Sequence, residues 1–179
     1  EPQSSLLRYT LGACCEAKGV TMRIRVHRGT AEIGGNCVEI EASDGRRVII
    51  DLGRPLWATS ADDVPLPAAV GLTSHDPTLC GIVISHPHLD HYGLLAKVSA
   101  DVPVFIGAEA SSLLRAAAYF SPVSADLEPA GHLVHGESLT VGPFTITPYL
   151  NDHSAFDAYS LLIQCDGRRV FYTGDIRGH

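Results

Sequence analysis

The stretch His86-Pro87-His88-Leu89-Asp90-His91 sets three imidazoles and a carboxylate in a single turn, directly after the apolar segment Cys80-Gly81-Ile82-Val83-Ile84-Ser85. Imidazole nitrogen and carboxylate oxygen are the donors that Zn²⁺ and its neighbours accept, and an open catalytic site needs fewer protein ligands per ion than a closed structural one. Four donors this close together point to two ions rather than one. Strand geometry carried into the turn sends His86 and His88 to the same side, while Pro87 keeps His86 out of helical geometry. Residues Asp90 to Val98 read as a helix, so Asp90 and His91 face a different point in space, as a second ion a few ångströms away requires.

Outward from this turn, the pattern is strand-like on both sides. Arg23 to His27, Asn36 to Ala42 and Arg46 to Asp51 are strand candidates, the last two joined by an Asp44-Gly45 turn of hairpin type. Arg54 to Pro77 is rich in Pro, Ala and Asp and reads as a long loop, with a short helix around Pro67 to Leu72. Beyond the turn come a strand from Val102 to Ile106 and a helix from Ala108 to Tyr119. Leu133 to Val134, Ser138 to Val141, Phe144 to Leu150, Tyr159 to Cys165 and Arg168 to Thr173 complete the strand candidates. Strands with helices interposed indicate an α/β layered sandwich. Residues 1–21 carry no sustained period and are expected to be a tail or upstream extension, leaving 22–179 as one domain.

Composition bounds the reading without deciding it. With 179 residues, 45% hydrophobic and 18% charged, the chain can bury a sizeable core. No apolar run approaches the roughly 20 residues that span a bilayer, and the first residues show neither a basic nor an apolar leader pattern. A cytoplasmic protein is expected on that ground, and Cys14, Cys15, Cys37, Cys80 and Cys165, odd in number and with no Cys-x-x-Cys, are expected to be free thiols, mostly buried, forming neither a disulfide framework nor a thiolate zinc site. A net charge of −7 argues against a broad basic face for nucleic acid, although carboxylates that hold divalent ions inflate that figure. Arg46, Arg47, Arg168, Arg169 and Arg177 are expected to be paired at the surface.

Strand ends in layered α/β proteins gather ligands, because loops aim side chains there while the sheet holds them. Polar residues follow the apparent strands at Asp51, at the His86 turn, at Asn151-Asp152-His153 and at Gly174-Asp175. The run Asp44-Gly45-Arg46-Arg47-Val48-Ile49-Ile50-Asp51 is echoed by Asp166-Gly167-Arg168-Arg169-Val170-Phe171-Tyr172, with Asp175 shortly beyond. Recurrent Asp-Gly hairpins explain the echo as well as a duplicated half-domain does.

The spacing His-x-His-x-Asp-His resembles the signature of the metallo-β-lactamase-fold hydrolases, a superfamily of mostly two-metal enzymes. The resemblance implies an αβ/βα layered sandwich built from two similar halves. It implies that His86, His88 and His153 hold a first divalent ion, that Asp90 and His91 hold a second, and that Asp175 bridges the two. Asp51 would then orient a ligand from behind, and Asp90 would also steer a metal-bridged hydroxide onto an ester, amide or phosphodiester centre. Zn is the ion first expected, with Mn or Fe as alternatives.

Within that superfamily, His27-Arg28-Gly29-Thr30-Ala31-Glu32-Ile33-Gly34-Gly35-Asn36-Cys37 is similar to the early loop of ribonuclease J and related RNA-processing enzymes. Asp152-His153-Ser154 and Tyr172-Thr173-Gly174-Asp175-Ile176-Arg177 are similar too. The branch implies a phosphodiesterase, with RNA or another phosphodiester as substrate. A thioester or lactone hydrolase of the same fold is the nearest alternative, and a non-hydrolytic metal-binding or redox protein is a further one. Diiron relatives usually carry Glu where this chain has His88, and no motif supplies the cysteine ligand used by many zinc β-lactamases. Superfamily members continue past the position of Asp175 with a last histidine and closing strands and helices, so the second half is expected to be incomplete. On that expectation, the segment alone binds its second ion weakly, is nearly inactive, and covers its apolar surface by pairing, for example as a homo-oligomer.

Overall fold

The structure is a computed structural model that describes residues 22–120 and 128–178. The expected tail over 1–21, with Cys14 and Cys15, lies outside the described residues, as does His179. Six strands form the first sheet in chain order: β1 (Arg23–Arg28), β2 (Cys37–Glu41), β3 (Arg47–Ile50), β4 (Leu79–Val83), β5 (Val104–Gly107) and β6 (Gly131–Leu133). β1 to β3 run antiparallel, whereas β3 to β6 are parallel. The second sheet is an antiparallel meander of β7 (Leu139–Val141), β8 (Phe144–Leu150), β9 (Tyr159–Cys165) and β10 (Arg168–Tyr172).

Alternation along β3 explains why two cores form. Val48 and Ile50 point toward the second sheet, where they join Ile40, Val83, Phe144, Ile146, Leu161 and Ile163 in one buried cluster. Ile49 points the other way, joining Ile82, Ile84, Ile106, Leu94, Ala110 and Leu114 beneath α2 (Ala108–Ala118). Each such side chain, removed wholly from water, contributes about 1.5–3 kcal/mol. β4, flanked by parallel neighbours and covered on both faces, therefore reads as an unbroken apolar run rather than an alternating one. Gly107 offers no side-chain cap to α2, and the distant Asp157 supplies one: its Oδ2 accepts from the amides of Glu109 (2.7 Å) and Ala110 (3.1 Å).

Three expectations are corrected. The helix over Asp90 to Val98 is instead a single turn, α1 (Leu89–Tyr92), followed by a separate 3₁₀ turn at Leu95–Lys97. Leu89 O still accepts the helical bond from Gly93, but the carbonyls that would continue the ladder are taken by other loops: Asp90 O accepts from Asn36 and His91 O from Leu52. Residues 67–72 form no helix. That loop is held by separate anchors, with Leu72 buried in the core and Lys97 Nζ donating to Ala61 O (3.2 Å) and Val64 O (2.7 Å). Arg47 is not at the surface: it is buried and donates to Glu39, to Val70 O and to Thr78 Oγ1.

The two Asp-Gly hairpins of the sequence echo are β2–β3 and β9–β10, one in each sheet. Their turns meet where the Ser43 amide donates to Asp166 Oδ2 at 2.7 Å. Their other ends lead to Asp51 and Asp175 at the opposite edge of the sandwich.

Candidate metal centre

Of the polar residues that the sequence places at strand ends, the histidines, Asp90 and Asp175 come together in one place, Asp51 lies behind them, and Asn151 turns instead to Ser160 Oγ and Thr173 O. β4 delivers His86 and His88, α1 delivers Asp90 and His91, the segment after β8 delivers His153, and the segment after β10 delivers Asp175. His88 Nδ1 lies 3.1 Å from both His86 Nε2 and His153 Nε2. One donor atom each from His86, His88 and His153 falls within 4.8 Å of the others, and the same holds for His86, His91 and Asp175. His86 thus belongs to both groups. The Asp175 carboxylate faces both, with Oδ1 3.4 Å from His91 Nε2 and Oδ2 3.9 Å from His153 Nε2. Asp90 Oδ2 stands 3.9 Å from His91 Nε2.

This donor set fits a divalent cation. Three imidazoles crowd nitrogen against nitrogen, an arrangement that protonation would make repulsive and that a shared cation would satisfy. Burial, then the neighbouring His91, His88 and His153 rings, push His86 down to about 2. His153 is also lowered, by burial first and then by His88. Burial alone would lower His91 as well, but the hydrogen bond and charge of Asp51, followed by Asp175 and Asp90, raise it overall. Two imidazoles are thereby kept neutral, the form in which a ring nitrogen binds a metal.

Asp51 is the keystone behind the pocket. It is wholly buried and sits in the left-handed region at φ 58°, a backbone conformation uncommon outside glycine. Its carboxylate accepts from the Ser85 amide at 2.7 Å, from Ser85 Oγ at 2.8 Å, and from His91 Nδ1 and Tyr172 OH at 2.7 Å each. These bonds over-determine the strained residue, and they spread a buried negative charge over four donors. Burial, and then Asp51, push the Tyr172 hydroxyl far up, so it remains a donor. The glycines close the pocket: a Cβ on Gly53 would collide with the backbone carbonyl of Asp90, and one on Gly34 would lie 2.8 Å from Asp90 Cβ.

The spacing of the motif singles out neither Ser85, Tyr172 nor Asn36. Ser85 bridges Asp51 and His86, its Oγ lying 3.1 Å from His86 Nδ1. Asn36 Nδ2 reaches to 3.0 Å from His91 Nε2. For Tyr172 a faint signal exists, since the two-residue period of β10 directs it inward with Val170. For Asn36 the signal is its place at the close of a glycine-rich loop.

With the fold and pocket in view, comparison with known proteins defines the class. Residues 46–178 match the beta-lactamase superfamily domain, and the chain belongs to that family. Its fold is that of the metallo-β-lactamases: it superposes on a protein of unknown function from Enterococcus faecalis V583 with a TM-score of 0.70 at 23% identity, covering 87% of this chain and 44% of that one. The metallo-beta-lactamase fold protein YhfI from Bacillus subtilis superposes with a TM-score of 0.57 at 20% identity, covering 87% and 63%.

Among curated sequences the likeness is to ribonuclease J. The chain is 30% identical to ribonuclease J of Sinorhizobium meliloti over 115 residues, 63% of this chain and 20% of that protein. It is 26% identical to the RNase J-like protein of Methanocaldococcus jannaschii over 162 residues, 86% of this chain and 36% of that protein. The chain therefore spans roughly a fifth to a third of the length of these relatives. Among the described residues, no helix is long and apolar enough to cross a membrane.

Proposed function

We propose that this chain carries the metal centre of a hydrolase that cleaves phosphodiesters, RNA foremost, using two divalent ions. The observation that supports it best is the convergence of donor atoms from His86, His88, His153, His91 and Asp175, drawn from both sheets, on one pocket. In this reading His86, His88 and His153 hold one ion, Asp90 and His91 the other, and Asp175 faces both. Zn is the first expectation, with Mn or Fe accepted by the same donors. Bound there, such ions supply Lewis acidity and a water whose pKa falls toward about 7.

The chain's own residues do the positioning. Asp51 accepts a hydrogen bond from the Nδ1–H of His91, which fixes the tautomer and aims the Nε2 lone pair toward the other donors. Ser85 ties Asp51 to His86, so both imidazoles share one buried support. In this reading Asp90, whose Oδ2 lies 3.9 Å from His91 Nε2, would hold and orient a proton on the attacking water. Similarity to ribonuclease J supports an RNA substrate, and the free thiols of Cys37, Cys80 and Cys165 accord with a cytoplasmic setting.

The test is hydrolysis of a model phosphodiester and of short RNA after loading with Mn²⁺ or Zn²⁺, beside His88→Ala. Metal-dependent cleavage lost in the variant supports the reading. Cleavage of thioesters or lactones with none of any phosphodiester would transfer the site to acyl substrates.

A further inference from the structure

We propose that Asn36 is a substrate-contacting residue, its carboxamide N–H donating to an anionic oxygen of the group under attack. This rests on the hydrolytic reading above. Asn36 is fixed at both ends of its backbone: its amide donates to Asp90 O (3.1 Å), and its carbonyl accepts from the Gly53 amide (2.9 Å). The loop that leads to it is pressed onto the same place, since a Cβ at Gly34 would meet Asp90 Cβ and one at Gly35 would meet Pro55. From that anchored position Nδ2 reaches 3.0 Å from His91 Nε2.

The His91 ring has only one lone pair to offer. Its Nδ1 donates to Asp51, so Nε2 is the acceptor; His91 is grouped with His86 and Asp175 as a cation donor, and Nε2 is the atom that faces Asp175 Oδ1 at 3.4 Å. One lone pair cannot serve both an N–H and a cation. When a cation takes it, the Asn36 N–H is left without an acceptor, and a part-buried polar hydrogen without one is unfavourable. Its anchors keep it within reach of an oxygen held beside His91. A neutral donor there stabilises negative charge developing on a phosphoryl or acyl oxygen and adds no competing positive charge to the metal pocket.

The metal-loaded chain is compared with Asn36→Ala and with Asn36→Asp, which keeps the side-chain shape. Three quantities are read: metal per chain by elemental analysis, affinity for inorganic phosphate by phosphorus NMR line broadening on the Mn²⁺-loaded protein, and kcat and KM on a model phosphodiester. Both variants should keep their metal within about twofold, bind phosphate about tenfold more weakly, and lose on the order of 10²-fold in kcat. Unchanged phosphate affinity in either variant, no phosphate binding by the parent chain, or metal loss in step with activity would overturn the proposal. If the parent hydrolyses nothing yet phosphate binding still weakens in the variants, the hydrolytic reading fails and the anion contact stands. If the parent hydrolyses and the variants bind phosphate as it does, only the role of Asn36 fails.

Discussion

Asp51 Oδ2 lies 2.7 Å from His91 Nδ1, with both side chains wholly buried. The pair joins the end of β3 to α1, and it sets the direction in which His91 presents its remaining nitrogen. Because the same carboxylate also accepts from Ser85 and Tyr172, it couples the rim of the first sheet to the last strand of the second.

Replacing Asp51 with Ala leaves the Ser85 amide and hydroxyl, the Tyr172 hydroxyl and His91 Nδ1 buried without their acceptor. The expected loss is about 3–5 kcal/mol in urea unfolding. Asp51→Asn keeps the shape and should cost less, yet it should still weaken metal binding about 10–100-fold by loosening the His91 ring. Zinc titration monitored by calorimetry checks this, and an Asp51→Asn protein with unaltered affinity would contradict the positioning role.

Gly53→Ala places a methyl group into the Asp90 carbonyl. Backbone must move to admit it, at a cost of about 3 kcal/mol or more. Thermal unfolding should show the loss. A Gly53→Ala protein that unfolds at the parent temperature would mean that the loop after β3 yields more easily than its packing indicates.

Acid should destabilise the metal-free protein. His86, depressed to about 2 in the folded chain, stays neutral while the unfolded chain protonates near its ordinary value of 6.5. Its contribution is therefore intact above that value and declines as pH falls, by about 2 kcal/mol at pH 5. His153, also lowered, acts in the same sense. His91, which is raised, acts in the opposite one, its contribution being present at low pH and lost as pH rises through its folded value. The net expectation is a melting temperature that drops from pH 7 to pH 5, with a shallower drop in His86→Gln. Equal slopes in the two proteins would remove His86 as the cause.

Loading with Zn²⁺ or Mn²⁺ should raise the melting temperature, because the converged donors exist only in the folded chain. At a hundredfold excess over Kd the gain is about 2.7 kcal/mol. Scanning calorimetry before and after chelation measures it. His88→Ala should lose most of this gain while Leu113→Ala, on the exposed side of α2, should keep it.

The local sequence alone carried the donors: three imidazoles and a carboxylate packed behind an apolar strand are chemistry whose residue types and spacing are both local. It also carried the strands, whose two-residue alternation and Asp-Gly turns depend on nearest neighbours along the chain. What the tertiary structure decided is everything that depends on which loop competes for which hydrogen bond. The expected helix after Asp90 ends after one turn because Asn36 and Leu52 claim the carbonyls of Asp90 and His91 from elsewhere in the chain. Arg47, read as a surface charge, is buried because Glu39 and Thr78, brought in by neighbouring strands, satisfy its guanidinium. The partners that Ser85, Tyr172 and Asn36 find were not legible for the same reason: the period of β10 can turn Tyr172 inward, but a hydrogen bond between residues 121 apart, such as that from Tyr172 to Asp51, leaves no spacing that names its acceptor.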